Sequence, residues 1–137
     1  MTLTVHEKLA LDAARVAQAR AHAPYSGKHV GAAVVTEDGH VFSACNVENA
    51  DSSLRVCAER NAVAQAIASG YRRFESIIVI APDERFWPPC DLCRAVILEF
   101  ADNPRVVLSS RRGELHVDNL LTVPLLPFSA DSREPGT

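Results

Sequence analysis

Apolar and polar positions along the chain change between helical and strand periodicity, and this pattern predicts eight elements. They are helices at 4–21, 57–69 and 91–101 and strands at 30–36, 41–47, 76–81, 105–109 and 113–117. Asp38-Gly39 between the first two strands is typical of an antiparallel hairpin. Strands that alternate with helices favour an α/β fold, in which helices cover the faces of a mixed sheet.

Local signals mark where the helices begin and end and which positions face inwards. Thr4 and Glu7 form a capping-box pattern, and Gly70 ends the second helix. Apolar residues of the first helix recur at helical spacing at Leu9, Ala13, Val16 and Ala17. Those of the second helix are Ala58, Ala62, Val63, Ala66 and Ile67.

Length and charge narrow the class of protein. A chain of 137 residues supports one domain, predicted at 1–128, with a flexible polar tail at 129–137. A net charge of -3 argues against nucleic acid as a partner, because binding to its phosphates needs clustered Lys and Arg side chains. No apolar run reaches membrane-helix length and no targeting segment is visible, so we expect no membrane partner. The four cysteines are then expected to be reduced, in the cytoplasm.

The strongest chemical signal is a pair of cysteine motifs, Cys57-Ala58-Glu59 and Pro89-Cys90-Asp91-Leu92-Cys93. Both lie at predicted helix starts, where free amides and the helix dipole lower a thiol pKa. Cys57, Cys90 and Cys93 could therefore converge on one metal ion. Three protein ligands are the number expected for a catalytic zinc, whose fourth position binds a water and lowers its pKa.

Three charged residues accompany these thiols. Zinc with three thiolates carries a charge of -1, and Arg60 and Arg94 each follow a motif residue. We expect both arginines to compensate that negative charge without binding the metal themselves. Glu59 is placed to move protons between water and a leaving nitrogen, which is the pattern of zinc deaminases.

Other interpretations of the cysteines remain open. A structural zinc site needs a fourth ligand, which Cys45, His29 or His40 could supply. A redox pair at Cys90 and Cys93 is a further alternative. Neither alternative explains Cys57-Ala58-Glu59.

The chain resembles the cytidine deaminase family in its short, three-cysteine form, over about residues 5–128. The resemblance is carried by Pro24-Tyr25-Ser26, Val30-Gly31-Ala32-Ala33, Cys45-Asn46-Val47-Glu48-Asn49-Ala50, Val56-Cys57-Ala58-Glu59-Arg60 and Pro89-Cys90-x-x-Cys93-Arg94. It implies a three-layer α/β/α sandwich with a five-stranded mixed sheet. It also implies one zinc per subunit and a homotetramer, with a dimer as the alternative.

The same resemblance implies residue roles in hydrolytic deamination. Cys57, Cys90 and Cys93 would bind zinc and Glu59 would shuttle protons to N3 and the departing amine of a pyrimidine. Asn46 and Glu48 would hold the ribose 3′-hydroxyl, since an amide and a carboxylate offer donor and acceptor. The backbone near Ala58 would contact the pyrimidine.

The chain departs from the family around the expected base pocket, at Lys28, His29, Asp51, Ser52, Asp91, Leu92 and Ala95. Lys28 stands where an aromatic residue is usual, so Phe86 and Trp87 are candidates for the missing base contact. Lys28 could instead meet an acidic group on the substrate or point to water.

These observations leave four functional hypotheses. The first is deamination of free cytidine or deoxycytidine. The second is deamination of a modified cytidine, another amino-heterocycle or a nucleoside antibiotic of the blasticidin S type. A deaminase acting on polynucleotides is disfavoured because the acidic balance does not suit a strand-binding groove. A zinc-stabilised binding module without catalysis is the fourth.

Overall fold

Within residues 2–130, which this computed structural model describes, the fold has five strands and three α-helices. They are α1 (Val5–Gln18), β1 (Gly31–Thr36), β2 (Val41–Cys45), α2 (Ala58–Ala68), β3 (Phe74–Ile80), α3 (Asp91–Leu98), β4 (Arg105–Ser109) and β5 (Leu115–Asn119). A short 3-10 turn at Ser52–Leu54 precedes α2. None of the helices in this part of the chain is long and apolar enough to cross a bilayer.

The strands form one mixed sheet in the order β2-β1-β3-β4-β5. β1 pairs antiparallel with β2 and with β3, so Val34 lies between Phe42 and Ile77. β3 and β4 run parallel, and β5 returns antiparallel beside β4. The predicted hairpin and the five-stranded mixed sheet are therefore confirmed.

Helices cover both faces of the sheet. On one face, α1 packs through Ala10 and Ala14 against side chains of the inner strands: Ala33, Val35, Ile78, Ile80 and Val107. On the other face, α2 and α3 bury the larger cluster that includes Val34, Ala62, Val63, Ala66, Ile77, Val79, Ile97, Val106 and Leu108. The three-layer α/β/α sandwich is therefore confirmed, and α2 and α3 begin on the same side of it.

The residues of α1 that face the sheet are not the apolar residues predicted from helical spacing in the sequence. Leu9 and Val16 are 56% and 57% exposed, whereas Ala10 and Ala14 are fully buried. The reason is the close approach of helix and sheet at Gly31, where an added Cβ would lie 2.1 Å from the carbonyl oxygen of Ala14. Only small residues fit this contact, so hydrophobicity alone indicates the wrong positions.

Some element ends also shift. The first helix stops at Gln18, whose side-chain amide donates to the carbonyls of His29 and Ala81. The last strand begins at Leu115, two residues later than predicted, because Gly113 takes a φ of +104° in the turn before it. In the predicted tail, Ala130 packs against the main core cluster. Residues 131–137 lie outside the described residues.

A buried carboxylate ties α1 to the sheet. Glu7 is fully buried and accepts hydrogen bonds from Arg105 Nε at 2.8 Å and Nη2 at 3.0 Å. It also accepts from Ser76 Oγ at 2.7 Å and from the backbone amide of Thr4 at 2.9 Å, the predicted capping box. Burial raises its pKa, but these hydrogen bonds outweigh burial and bring the pKa from 4.5 to about 2.

Candidate active site

Three cysteines from two helix starts meet in space. Cys57 is the N-cap of α2, Cys90 is the N-cap of α3 and Cys93 lies in the first turn of α3. Their three Sγ atoms lie within 4.8 Å of one another, and those of Cys90 and Cys93 are 3.4 Å apart. The convergence predicted from the two motifs is therefore what the fold produces, because α2 and α3 start at the same end of the sandwich.

The local electrostatics favour a thiolate at this cluster. Hydrogen bonding to Cys93 and to the Arg60 guanidinium lowers the pKa of Cys57 from 9.0 to about 5, although burial opposes the shift. The same contact with Cys57, together with burial, raises the pKa of Cys93. Of these two thiols, Cys57 is therefore the one whose charged form the surrounding groups favour.

The cluster fits a zinc ion. Zn–S bonds of about 2.3 Å in tetrahedral geometry place sulfurs about 3.8 Å apart, and the three Sγ atoms all lie within 4.8 Å of one another. Thiolates are the soft donors that select zinc among common divalent ions. Among the described residues, no fourth His, Cys, Asp or Glu joins the group. Cys45, His29 and His40 are therefore not ligands here, and the set of three is that of a catalytic rather than a structural site.

The two arginines have different surroundings. Arg60 Nη2 is 3.6 Å from Cys57 Sγ, as expected for a residue that compensates thiolate charge. Arg94 instead donates to backbone carbonyls, with Nε on Pro89 at 2.9 Å and Nη1 on Leu120 at 2.8 Å. Further carbonyls of Val123 and Pro124 complete its contacts. Arg94 thus fastens the start of α3 to the segment after β5, and its hydrogen bonds do not go to a sulfur.

A cavity of about 400 Å³ opens next to the thiols. Its lining includes Cys57, Cys90 and Glu59, whereas Cys93 is fully buried and does not line the cavity. Glu59 is 6% exposed, and burial together with the charge on Cys57 raises the pKa of its carboxyl to about 7. A carboxyl in this setting can accept and return a proton close to the metal ligands.

Asn46 and Glu48 line the same cavity and also hold its rim. Asn46 Oδ1 accepts from the Val30 amide at 2.9 Å, and its Nδ2 donates to the Lys28 carbonyl at 2.9 Å. Glu48 accepts from the amides of Tyr25 and Ser26 at 3.0 and 3.1 Å and from the Ser26 hydroxyl. These contacts, led by the Ser26 hydroxyl, hold the pKa of Glu48 below its usual value.

Of the two candidate aromatic contacts, only Trp87 lines the cavity. Its Nε1 donates to Asp83 at 3.0 Å, and Lys28 Nζ lies 5.3 Å from its ring centroid. Phe86 is 3% exposed and packs against His116 and Phe128, so its expected role at the base is wrong. Adjacent residues point to opposite sides here because Phe86 pairs with Phe128 through the backbone.

Sequence reasoning missed one charged residue of the cavity, Arg55. It follows the 3-10 turn in extended backbone, with φ -69° and ψ 148°, two positions before Cys57. Its proximity to the Cys-Ala-Glu motif is the signal that would have identified it. Ala58 lines the cavity as expected.

Comparison with known proteins agrees with this geometry. Residues 4–110 match the cytidine and deoxycytidylate deaminase zinc-binding region. The chain belongs to the cytidine deaminase family. It is a zinc-dependent aminohydrolase, and its three-cysteine cluster could hold a metal ion.

Several relatives show how far the similarity extends. The chain is 38% identical over 129 residues to a cytidine deaminase of Sporosarcina psychrophila, covering 93% of this chain and 92% of that protein. It is 43% identical over 93 residues to a probable cytidine deaminase of Dictyostelium discoideum, covering 67% of this chain and 63% of that protein. A blasticidin-S deaminase of Bacillus cereus is 33% identical over 88 residues, covering 58% of this chain and 63% of that protein. The crystal structure of cytidine deaminase from Burkholderia pseudomallei superposes with a TM-score of 0.78 and 42% identity, covering 86% of this chain and 94% of that one.

Proposed function

We propose that this site deaminates a free pyrimidine nucleoside, converting cytidine or deoxycytidine and water to uridine or deoxyuridine and ammonia. The observation that carries the proposal is one cavity bordered by two of the clustered thiols, by Glu59 and by the polar pair Asn46 and Glu48. The match to cytidine deaminases over most of the chain supports the same reaction.

The chain's own residues divide the chemistry between them. Cys57, Cys90 and Cys93 would hold zinc, which when bound supplies a Lewis acid that lowers the pKa of water. Glu59 takes one proton from the attacking water and delivers it to N3 of the pyrimidine. It then carries the second proton, from the hydroxyl added to C4, to the amine, which departs as ammonia. Its burial keeps competing bulk water away from that proton. Arg60 offsets the negative charge of the thiolates.

The residues that line the cavity are proposed to orient the substrate. Asn46 retains one N–H and Glu48 retains carboxylate lone pairs beyond their contacts with the rim, so both can still bind a sugar hydroxyl. The Ala58 backbone borders the cavity beside Cys57 and is proposed to contact the pyrimidine. Trp87, held by Asp83, is the aromatic group proposed to contact the base.

Ammonia release from cytidine and deoxycytidine, measured with zinc content on the same samples, tests this function. Glu59→Gln keeps the side-chain shape and should keep zinc, but should lower kcat by about 10²- to 10⁴-fold. Cys45→Ser is a matched control because Cys45 is not in the cluster. A zinc-stabilised module without catalysis would retain zinc and release no ammonia, and that result would refute the proposal.

A second candidate is deamination of a modified cytidine or of a nucleoside antibiotic of the blasticidin S type. The observations that favour it are the similarity to a blasticidin-S deaminase and the cationic Lys28 and Arg55 in the cavity. Parallel ammonia assays with cytidine, 5-substituted cytidines and blasticidin S separate the two candidates by their kcat/KM values.

The surroundings of the enzyme are also part of the proposal. We infer a homotetramer working in pyrimidine salvage in the cytoplasm, with no nucleic-acid or membrane partner. Exposed apolar side chains such as Val5, Leu9 and Leu54, each more than half exposed, are consistent with subunit contacts. The four cysteines are unpaired, which suits a reducing compartment. Light scattering measures the subunit number directly, and a monomer would contradict this part.

A further inference from the structure

Among the described residues, two cations that line the active-site cavity form no close ion pair. Lys28 and Arg55 both line the cavity, and within residues 2–130 neither side chain forms an ion pair shorter than 4.0 Å. Arg55 interacts with Glu48 only through longer-range charge. Unpaired cations that line one cavity attract an anionic ligand group.

The position of Lys28 is fixed by its own backbone. Its amide donates to the Ser26 hydroxyl at 3.0 Å, and its carbonyl accepts from Asn46 Nδ2 at 2.9 Å. Ser26 is in turn held by Glu48 through its amide and its hydroxyl. The Lys28 backbone is therefore tied to the residues proposed to bind the sugar, which fixes the point on the rim from which its side chain starts.

The Lys28 ammonium lies beside the aromatic residue of the cavity. It lies 5.3 Å from the Trp87 ring centroid, and Trp87 is held by Asp83. Arg85 contacts the same ring at 5.6 Å but pairs with Asp83 at 3.0 Å and does not line the cavity. Lys28 is thus the cation on the cavity side of the ring.

Burial indicates which end of a nucleoside meets these charges. Glu59 and Ala58 are buried at the closed end, so the reacting pyrimidine must lie there. Lys28 and Arg55 are exposed at the open end, where the sugar and its substituents must lie. The cations are therefore placed for a group carried by the sugar rather than for the amino group that leaves.

We propose that this enzyme prefers pyrimidine nucleosides whose sugar carries an anionic oxygen group, a phosphate ester or a carboxylate, bound by Lys28 and Arg55. This inference rests on the proposed deamination and narrows its substrate class. A charge-assisted hydrogen bond contributes about a tenfold gain in affinity or more.

Binding of reaction products tests the inference without requiring turnover. Calorimetric titration of the zinc-loaded enzyme would compare uridine, uridine 5′-monophosphate and uridine 5′-carboxylate. We expect at least one anionic product to bind about 10- to 100-fold more tightly than uridine, with a preference that shrinks at high ionic strength. The arm with the larger gain identifies the phosphate or the carboxylate as the natural group.

Variants assign the preference to residues. Lys28→Met and Arg55→Met should each remove about tenfold of the preference for the anionic product, because each deletes one charged contact. Arg85→Met is the matched control, since it removes a cation near Trp87 outside the cavity, and should retain the preference. Equal affinity for neutral and anionic products, or a preference that either Lys28→Met or Arg55→Met leaves undiminished, would overturn the inference.

Turnover separates the two levels of the proposal. If cytidine releases ammonia but anionic products bind no better than uridine, only the substrate inference fails. If no nucleoside releases ammonia while anionic products bind more tightly, the proposed deamination fails and the anion site stands.

Discussion

Replacing Glu7 by Gln tests how the buried carboxylate fastens α1 to the sheet. Glu7 is fully buried and receives four hydrogen bonds, two of them from Arg105. Gln keeps the shape but loses the charge and turns one acceptor into a donor that faces other donors. Removing one partner of a buried ion pair costs about 3–5 kcal/mol.

The pKa gives an independent estimate of the same contribution. A folded-state pKa of about 2 against 4.5 in the unfolded chain corresponds to about 3 kcal/mol, at about 1.4 kcal/mol per pH unit. Because the folded pKa is the lower one, this stabilisation is complete above pH 4.5 and is lost as the pH falls towards 2. At pH 3 about 1.4 kcal/mol of it should remain.

Urea unfolding of wild type and Glu7→Gln at pH 7 and pH 3 measures both quantities. The difference between the two proteins should be about 3 kcal/mol at pH 7 and about half that at pH 3. Proton and zinc effects at the unchanged cysteines cancel in this difference. Glu99→Gln, at an exposed position, should change stability by less than about 0.5 kcal/mol. A Glu7→Gln loss below about 1 kcal/mol, or one independent of pH, would refute the reasoning.

Three further substitutions probe packing and the site. Gly31→Ala should destabilise the protein by about 1–3 kcal/mol in urea unfolding, since its Cβ would lie 2.1 Å from the Ala14 carbonyl oxygen; a neutral effect would mean that α1 moves away freely. Arg94→Gln should weaken zinc binding in a chelator competition and lower the free energy of unfolding by about 2 kcal/mol, because it removes the hydrogen bonds that fix the start of α3. Unchanged zinc affinity would mean that Arg94 has a structural role alone. Trp87→Ala should raise KM about tenfold with a smaller change in kcat, and an unchanged KM for every substrate would mean that Trp87 only packs.

The sequence predicted the chemistry of the site better than its shape. Cys57, Cys90, Cys93 and Glu59 were identifiable because metal binding and proton transfer need particular residue types at particular spacings. Arg55 was missed because no motif requires a cation at its position, although it stands only two residues before Cys57. Phe86 was assigned to the base by its proximity to the second cysteine motif, whereas its side chain packs in the core.

Local patterning similarly determined part of the fold. The capping box at Thr4, the Asp38-Gly39 hairpin and the apolar face of α2 depend on neighbours within a few residues, and each formed as predicted. The inward face of α1 did not follow from apolar spacing, because the distance between helix and sheet is set at Gly31, far along the chain.

By itself the sequence therefore predicted the proposed reacting groups, and it determined the number and type of most elements. Only the tertiary structure decided the strand order, the partners of Arg94 and the meeting of Lys28 and Arg55 at one cavity. The physical reason is the separation along the chain of the residues that interact. Motifs and helix caps depend on residues a few positions apart, whereas strand order and the charge of a cavity depend on residues from distant segments.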